Sequence, residues 1–188
     1  MRIKNGFFMR EVAGKYVVVP VGAQTNEFKG MIQMNQTGAF LWKALERDLT
    51  EDALTKMMLD QMDRNLSTYK DKISNFMISG NKVSMHQFLS LASVVQCESS
   101  GQKEDQAKIA GVFMNRLEKP MRLQSDVTVN YANQIKTVAV TYNHLSVDSK
   151  YNTYKYEGLP VGPISTVSTN IIEACLNYQR LIICSFLL

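Results

Sequence analysis

The stretch "SMHQFLSLASVVQCESSGQKEDQAKIAGVFMNRLEKP", residues 84–120, carries two helix signals separated by a small polar break. Ser84 and Gln87 have capping-box spacing, and Met85, Phe88, Leu89, Ala92 and Val95 follow at i, i+3, i+4, i+7 and i+10, so an apolar helix face starts there. A second helical pattern runs from Asp105 to Glu118 through Ile109, Val112, Phe113 and Leu117, and Pro120 stops it. At the far end of the first apolar run, just before the break, stands a single carboxylate, Glu98. Its residue type and place leave two readings open. It is an acid in the apolar setting that Val94 and Val95 supply, or an exposed glutamate at a helix end, the commonest fate of that residue.

Working outward toward the N-terminus, "FFMREV" and "KYVVVPV" are strand-like and separated by Ala13-Gly14, and a shorter "FKGMIQM" follows the polar stretch "GAQTNE". The simplest arrangement is a small antiparallel three-stranded sheet. Asn35 then caps a helix whose apolar face holds Phe40, Leu41, Ala44 and Leu45, and Trp42 widens it. A second helix starts at Thr50, with Glu51 and Asp52 in the first turn, and the spacing of Leu54, Met57, Met58 and Met62 predicts a core-facing stripe. From residue 63 to Ser84 the chain is polar and weakly periodic. Beyond Pro120 it is rich in Thr, Val, Tyr and Asn and is punctuated by "GLPVGP". The fold class is therefore α+β: a small sheet with helices over residues 1–62, then a mixed α/β domain over residues 63–188.

With 188 residues, 45% hydrophobic and 20% charged, the chain has the composition of an ordinary folded protein. The net charge of +4 is mild and its Lys and Arg residues are scattered, which argues against a nucleic-acid partner. Cys97, Cys175 and Cys184 are odd in number and lack metal-ligand spacing, while His86 and His144 lie far apart, so neither a metal nor a cofactor is expected. The apolar run near the N-terminus is too short for a signal peptide, and "YVVVPVG" and "LIICSFLL" fall well short of the ~20 residues of a membrane span. As encoded, the chain is expected to be cytoplasmic.

Five blocks in order carry a family resemblance: "LASVVQCE" at 91–98, "KIAGVFMNRL" at 108–117, "MRLQSDVTVNY" at 121–131, "YNTYKYEGLPVGPIS" at 151–165 and "IIEA" at 171–174. Residues 63 to about 175 thereby resemble the catalytic domain of the YceG-like (MltG) endolytic murein transglycosylases. The resemblance implies a lytic transglycosylase of the cell envelope, with peptidoglycan glycan strands as partner. It implies cleavage of the bond between N-acetylmuramic acid and N-acetylglucosamine, leaving a 1,6-anhydromuramyl end. The family's catalytic glutamate falls on Glu98, whereas an acidic position two residues earlier is Gln96 here. Val127 stands where the family has proline, and Thr166, Val167 and Ser168 replace its "NPG" turn. The ending "CLNYQRLIICSFLL" resembles nothing in the family's corresponding region, so the catalytic domain is expected to be incomplete at its C-terminus.

Residues 1 to about 60 resemble the PqqD-like proteins, partial winged-helix-like elements that recognise peptide precursors; "MREVAGKYVVVPVG" and "FKGMIQMNQTGAFLWKALERDLTEDAL" carry this likeness. It implies a leader peptide as a second partner, and the alternatives to an enzyme are a leader-peptide-binding module or an inactive fusion product. Around Glu98, the polar turn Gln124, Ser125 and Asp126 is either a set of hydrogen-bonding groups for sugar hydroxyls and acetamides or an ordinary loop cap. Tyr151, Asn152 and Tyr154 offer rings and an amide for a glycan, or form a tyrosine-rich strand packed on the core. Asn115 and Arg116 support the site or simply end their helix. Asp148 and Glu157, beside Lys150 and Lys155, read as surface ion pairs.

Overall fold

The computed structural model describes residues 1–22, 28–99, 103–119, 121–137 and 139–180. The polar stretch before the third strand, Pro120, Cys184 and the apolar ending on which an incomplete domain was expected lie wholly or largely outside the described residues. The chain divides into two compact units, 1–64 and 65–188.

In the first unit, β1 (Phe7–Val12) and β2 (Lys15–Pro20) pair antiparallel, and β3 (Ile32–Met34) pairs with the other side of β2. Ala13 and Gly14, with φ of 50° and 74°, both occupy the left-handed region, the turn whose twist matches a two-residue hairpin. Asn35 caps α1 (Gln36–Leu45), its side chain accepting the Gly38 N–H at 2.8 Å. Val18, Ala39 and Ala44 are the buried apolar residues of this unit. α2 (Glu51–Ser67) begins at Thr50 as expected, its hydroxyl accepting the Ala53 N–H at 3.1 Å. The expectation of a methionine core along it fails, because none of its residues is buried and Met58 and Met62 are exposed.

The second unit is built around α4 (Met85–Glu98), which follows α3 (Lys70–Ser74) and the hairpin β4 (Met77–Ile78) and β5 (Asn81–Lys82). The capping box forms: the Ser84 hydroxyl accepts the Gln87 N–H at 3.2 Å and the Gln87 side chain accepts the Ser84 N–H at 2.8 Å. From Ser90 to Val95 every residue of α4 is buried, more than the one expected face, as befits a helix enclosed on most sides. α5 (Lys103–Glu118) and α8 (Thr169–Leu176) close on it with Phe113, Met114, Ile171, Ile172 and Cys175. Phe76 meets Phe88 edge-on at 5.1 Å, and each fully buried large side chain stabilises by ~1.5–3 kcal/mol.

Gly111 permits the closest packing in this core: a Cβ there would lie 1.9 Å from the Gln179 carbonyl oxygen, whose own N–H is bonded to Ala107. α6 (Asp126–Asn133) and α7 (Tyr142–Leu145) complete the helices. After Lys82 no strand occurs among the described residues, so β4 and β5 are the strands of the larger unit's described residues and helices and loops make up the rest. Residues 151–154 form turns, which removes the packed-strand reading of the tyrosines. Among the described residues no helix is long and apolar enough to cross a membrane.

Candidate active site

Glu98 is the last residue of α4, where the helix emerges from the core, and it is half-buried. Ser125 donates its hydroxyl to Glu98 Oε1 at 2.5 Å across 27 residues of sequence. Burial pushes the Glu98 carboxyl above its ordinary value. The Ser125 hydrogen bond opposes that, the neighbouring Asp126 charge adds to it, and the Arg116 guanidinium opposes it more weakly. A surface glutamate would feel little of this.

The serine is held by buried hydroxyls whose donors can be assigned by counting protons. Thr128 gives its one hydroxyl proton to the Ser125 carbonyl at 2.7 Å. The 2.8 Å contact between Thr128 Oγ1 and Thr153 Oγ1 is then donated by Thr153, which in turn accepts the Ser125 N–H at 3.1 Å. Ser125 stands at the N-cap of α6, yet its side chain makes no capping bond. Its hydroxyl proton is spent on Glu98 instead. Gln124, just before it, has a left-handed backbone with φ of 49° and is tied to the Thr153 carbonyl through its N–H at 3.1 Å, a strained setting that aims Ser125.

Asp126, in the first turn of α6, accepts the Tyr154 hydroxyl at 2.6 Å. Burial first, and then that bond to Asp126, push the Tyr154 phenol up to about 12, so it remains a donor throughout the physiological range. Arg116 is buried and donates from Nη1 to the Leu123 carbonyl, fixing the segment that leads to Gln124.

Of the residues singled out in the sequence, Ser125, Asp126 and Tyr154 gather around Glu98, and Gln124 lies exposed beside them. Asn152 has a different place. It is fully buried, its amide nitrogen donates to the Leu145 and Val147 carbonyls at 2.9 Å each, and its oxygen accepts the Tyr154 N–H at 3.0 Å. With every polar atom engaged inside the protein it braces the loop that presents Tyr154, in place of the glycan contact expected of it. Tyr151 packs on Tyr131, ring centroids 4.8 Å apart, and lines an open hollow of about 600 Å³. An adjoining hollow of about 480 Å³ is lined by Cys97 and Val127, sequence neighbours of Glu98 and Asp126. Asp148 takes hydrogen bonds from Tyr156 and Lys155 on the surface, as its setting suggested.

Thr128 and Thr153 escaped notice in the sequence; the only signal was the i+3 spacing of Thr128 from Ser125. Gln96, which stands where the resembling family has an acid, accepts the Ser168 N–H at 3.0 Å and so holds the start of α8. Among the described residues no group of His, Cys, Asp and Glu is placed to hold a metal ion.

The chain is 40% identical over 133 residues to an endolytic murein transglycosylase of Bacillus subtilis, covering 71% of this chain and 35% of that protein. It is 34% identical over 145 residues to one from Streptococcus pneumoniae, covering 73% of this chain and 25% of that protein. The chain thus spans between a quarter and about a third of these relatives' length. The crystal structure of a yceG-like protein from Listeria monocytogenes superposes with a TM-score of 0.67 at 38% identity, over 75% of this chain and 44% of that one. The sequence model of the YceG-like family matches residues 9–183, a range that also runs through the stretch read as PqqD-like. On these grounds the chain belongs to the YceG-like family.

Proposed function

We propose that the chain is a peptidoglycan lytic transglycosylase in which Glu98 acts first as acid and then as base. The observation that carries this reading is the half-buried carboxyl, raised by burial, with Ser125 fixed on one of its two oxygens. With Oε1 occupied by the Ser125 hydroxyl, the proton rides on Oε2. It passes to the glycosidic oxygen as the bond from muramic C1 breaks, and the N-acetylglucosamine leaves with a free 4-hydroxyl. The acetamido oxygen of the muramic residue steadies the positive charge at C1. The Glu98 carboxylate then takes the proton of the muramic C6 hydroxyl while O6 bonds to C1, which restores the acid and consumes no water.

One carboxyl suffices for this cycle, whereas a hydrolase needs a second to activate water or attack the sugar. Asp126 is engaged by Tyr154 and serves to orient that side chain and to favour the protonated form of Glu98. The substrate places the site of action at the cell envelope. Mass spectrometry of products released from purified sacculi tests the reading: 1,6-anhydromuramyl ends are expected, and reducing muramyl ends alone, or no release, would exclude it.

A second reading, capture of a leader peptide by strand addition, is favoured by the meander itself. Its outer strands β1 and β3 each pair on one side only among the described residues. Titrating a labelled leader peptide onto the full chain decides it, since saturable binding is required.

A further inference from the structure

The two hollows beside the candidate acid share a lining that points to the chemistry of their occupant. Tyr131 is 45% exposed and stands against Tyr151 with its ring tilted by 56°, an aromatic surface of the kind that packs on the apolar face of a sugar. Lys136 lines both hollows and is the one charged side chain among their described lining residues. It is exposed, and no described carboxylate forms an ion pair with it. The smaller hollow is lined by Cys97 and Val127, next in sequence to Glu98 and Asp126, which puts it one residue from the candidate acid along the chain.

We propose that the hollow formed by Tyr131, Tyr151 and Lys136 is a subsite for a carboxylate-bearing muramyl unit, with the sugar against the Tyr131 ring and the carboxylate at the Lys136 ammonium. The inference rests on the peptidoglycan reading above and extends it to specificity. Glucosamine units carry no acid, so a lone cation beside an aromatic face distinguishes the two sugars of the strand and sets the register of cleavage. Two sources supply the carboxylate: the lactyl group of a bare muramyl residue and the acidic groups of a stem peptide.

The test uses the full chain carrying Glu98→Gln, which keeps the ligand intact, titrated with fluorescent four-sugar fragments by anisotropy. Four fragments separate the sources: bare lactyl and peptide-bearing forms, each with its carboxylates free or converted to amides. Amidation should weaken binding of at least one pair by up to about fivefold, the scale of an exposed ion pair, and raised salt should erase the difference. Adding Lys136→Met should abolish the discrimination, Lys136→Arg should restore it, and Tyr131→Leu should weaken all four fragments. Equal binding of free and amidated fragments, discrimination that survives Lys136→Met, or no binding of any fragment overturns the proposal. The cleavage reading fails separately: a protein with the carboxylate preference but no anhydro product from its Glu98 form keeps this subsite and loses the transglycosylase.

Discussion

Thr153→Val probes the buried hydroxyl network that aims Ser125 at Glu98. Ser125, Thr128 and Thr153 are 2%, 0% and 2% exposed, so water cannot replace a lost partner. Valine keeps the shape of threonine but leaves the Ser125 N–H without its 3.1 Å acceptor, at ~1–3 kcal/mol for a buried orphan donor. It also removes the proton donated to Thr128 at 2.8 Å, worth ~0.5–1.5 kcal/mol. The sum is ~1.5–4.5 kcal/mol, whereas Thr153→Ser keeps the hydroxyl and gives up one buried methyl, ~1 kcal/mol. The single tryptophan, Trp42, lies in the other unit, so urea unfolding should be followed by far-UV circular dichroism and by hydrogen exchange at the Ser125 amide. Thr153→Val should be the less stable variant by at least ~0.5 kcal/mol and the less active one. Combining it with Thr128→Val should cost less than the two singles together, because the pair shares one bond. Equal stability of the valine and serine variants, or strict additivity of the two valines, would refute the shared hydroxyl network.

Other consequences are open to measurement. Tyr154→Phe removes the charge-assisted bond to Asp126, and kcat/KM on glycan strands should fall by about tenfold with the fold intact by circular dichroism. Gly111→Ala places a methyl against the Gln179 backbone carbonyl, and thermal unfolding should register a loss of ~1–3 kcal/mol, the range of overpacking. Because the folded Glu98 carboxyl titrates above its ordinary value of 4.5, the native state holds that proton more tightly than the unfolded chain. Its stabilising contribution is therefore complete below pH ~4.5 and is lost as pH rises through the raised value. Glu98→Gln should remove that stretch of pH dependence and be the more stable protein at neutral pH, as urea unfolding across pH would reveal.

The parts of the fold legible in the sequence are those governed by local rules. The capping box at Ser84 and Gln87 and the apolar spacing behind it locate α4, and Ala13-Gly14 between two β-rich runs locates the hairpin. The methionines of α2 misled because periodicity states which residues share a face and not whether anything covers it. Between residues 121 and 168 the chain is held by side chain to backbone bonds, such as those of Asn152 and Asn133, which leave no periodic trace. Glu98 could be singled out by its place in the ordered blocks. Its chemistry could not, since the burial that raises it and the Ser125 and Asp126 groups beside it, at the start of α6, come from long-range packing. Asn152 shows the converse: a residue type suited to sugars whose amide the loop consumes entirely.

The most direct measurement compares the chain with its Glu98→Gln variant on purified glycan strands, counting 1,6-anhydromuramyl ends by mass spectrometry. Glutamine keeps the size of the side chain and an oxygen for the Ser125 hydroxyl, but it has no proton to give and cannot receive one from the C6 hydroxyl. Anhydro ends from the parent and a loss of at least about a thousandfold in the variant are predicted, consistent with removing both acid and base steps. Release at the parent rate by the glutamine variant would contradict the assignment of the proton cycle to Glu98.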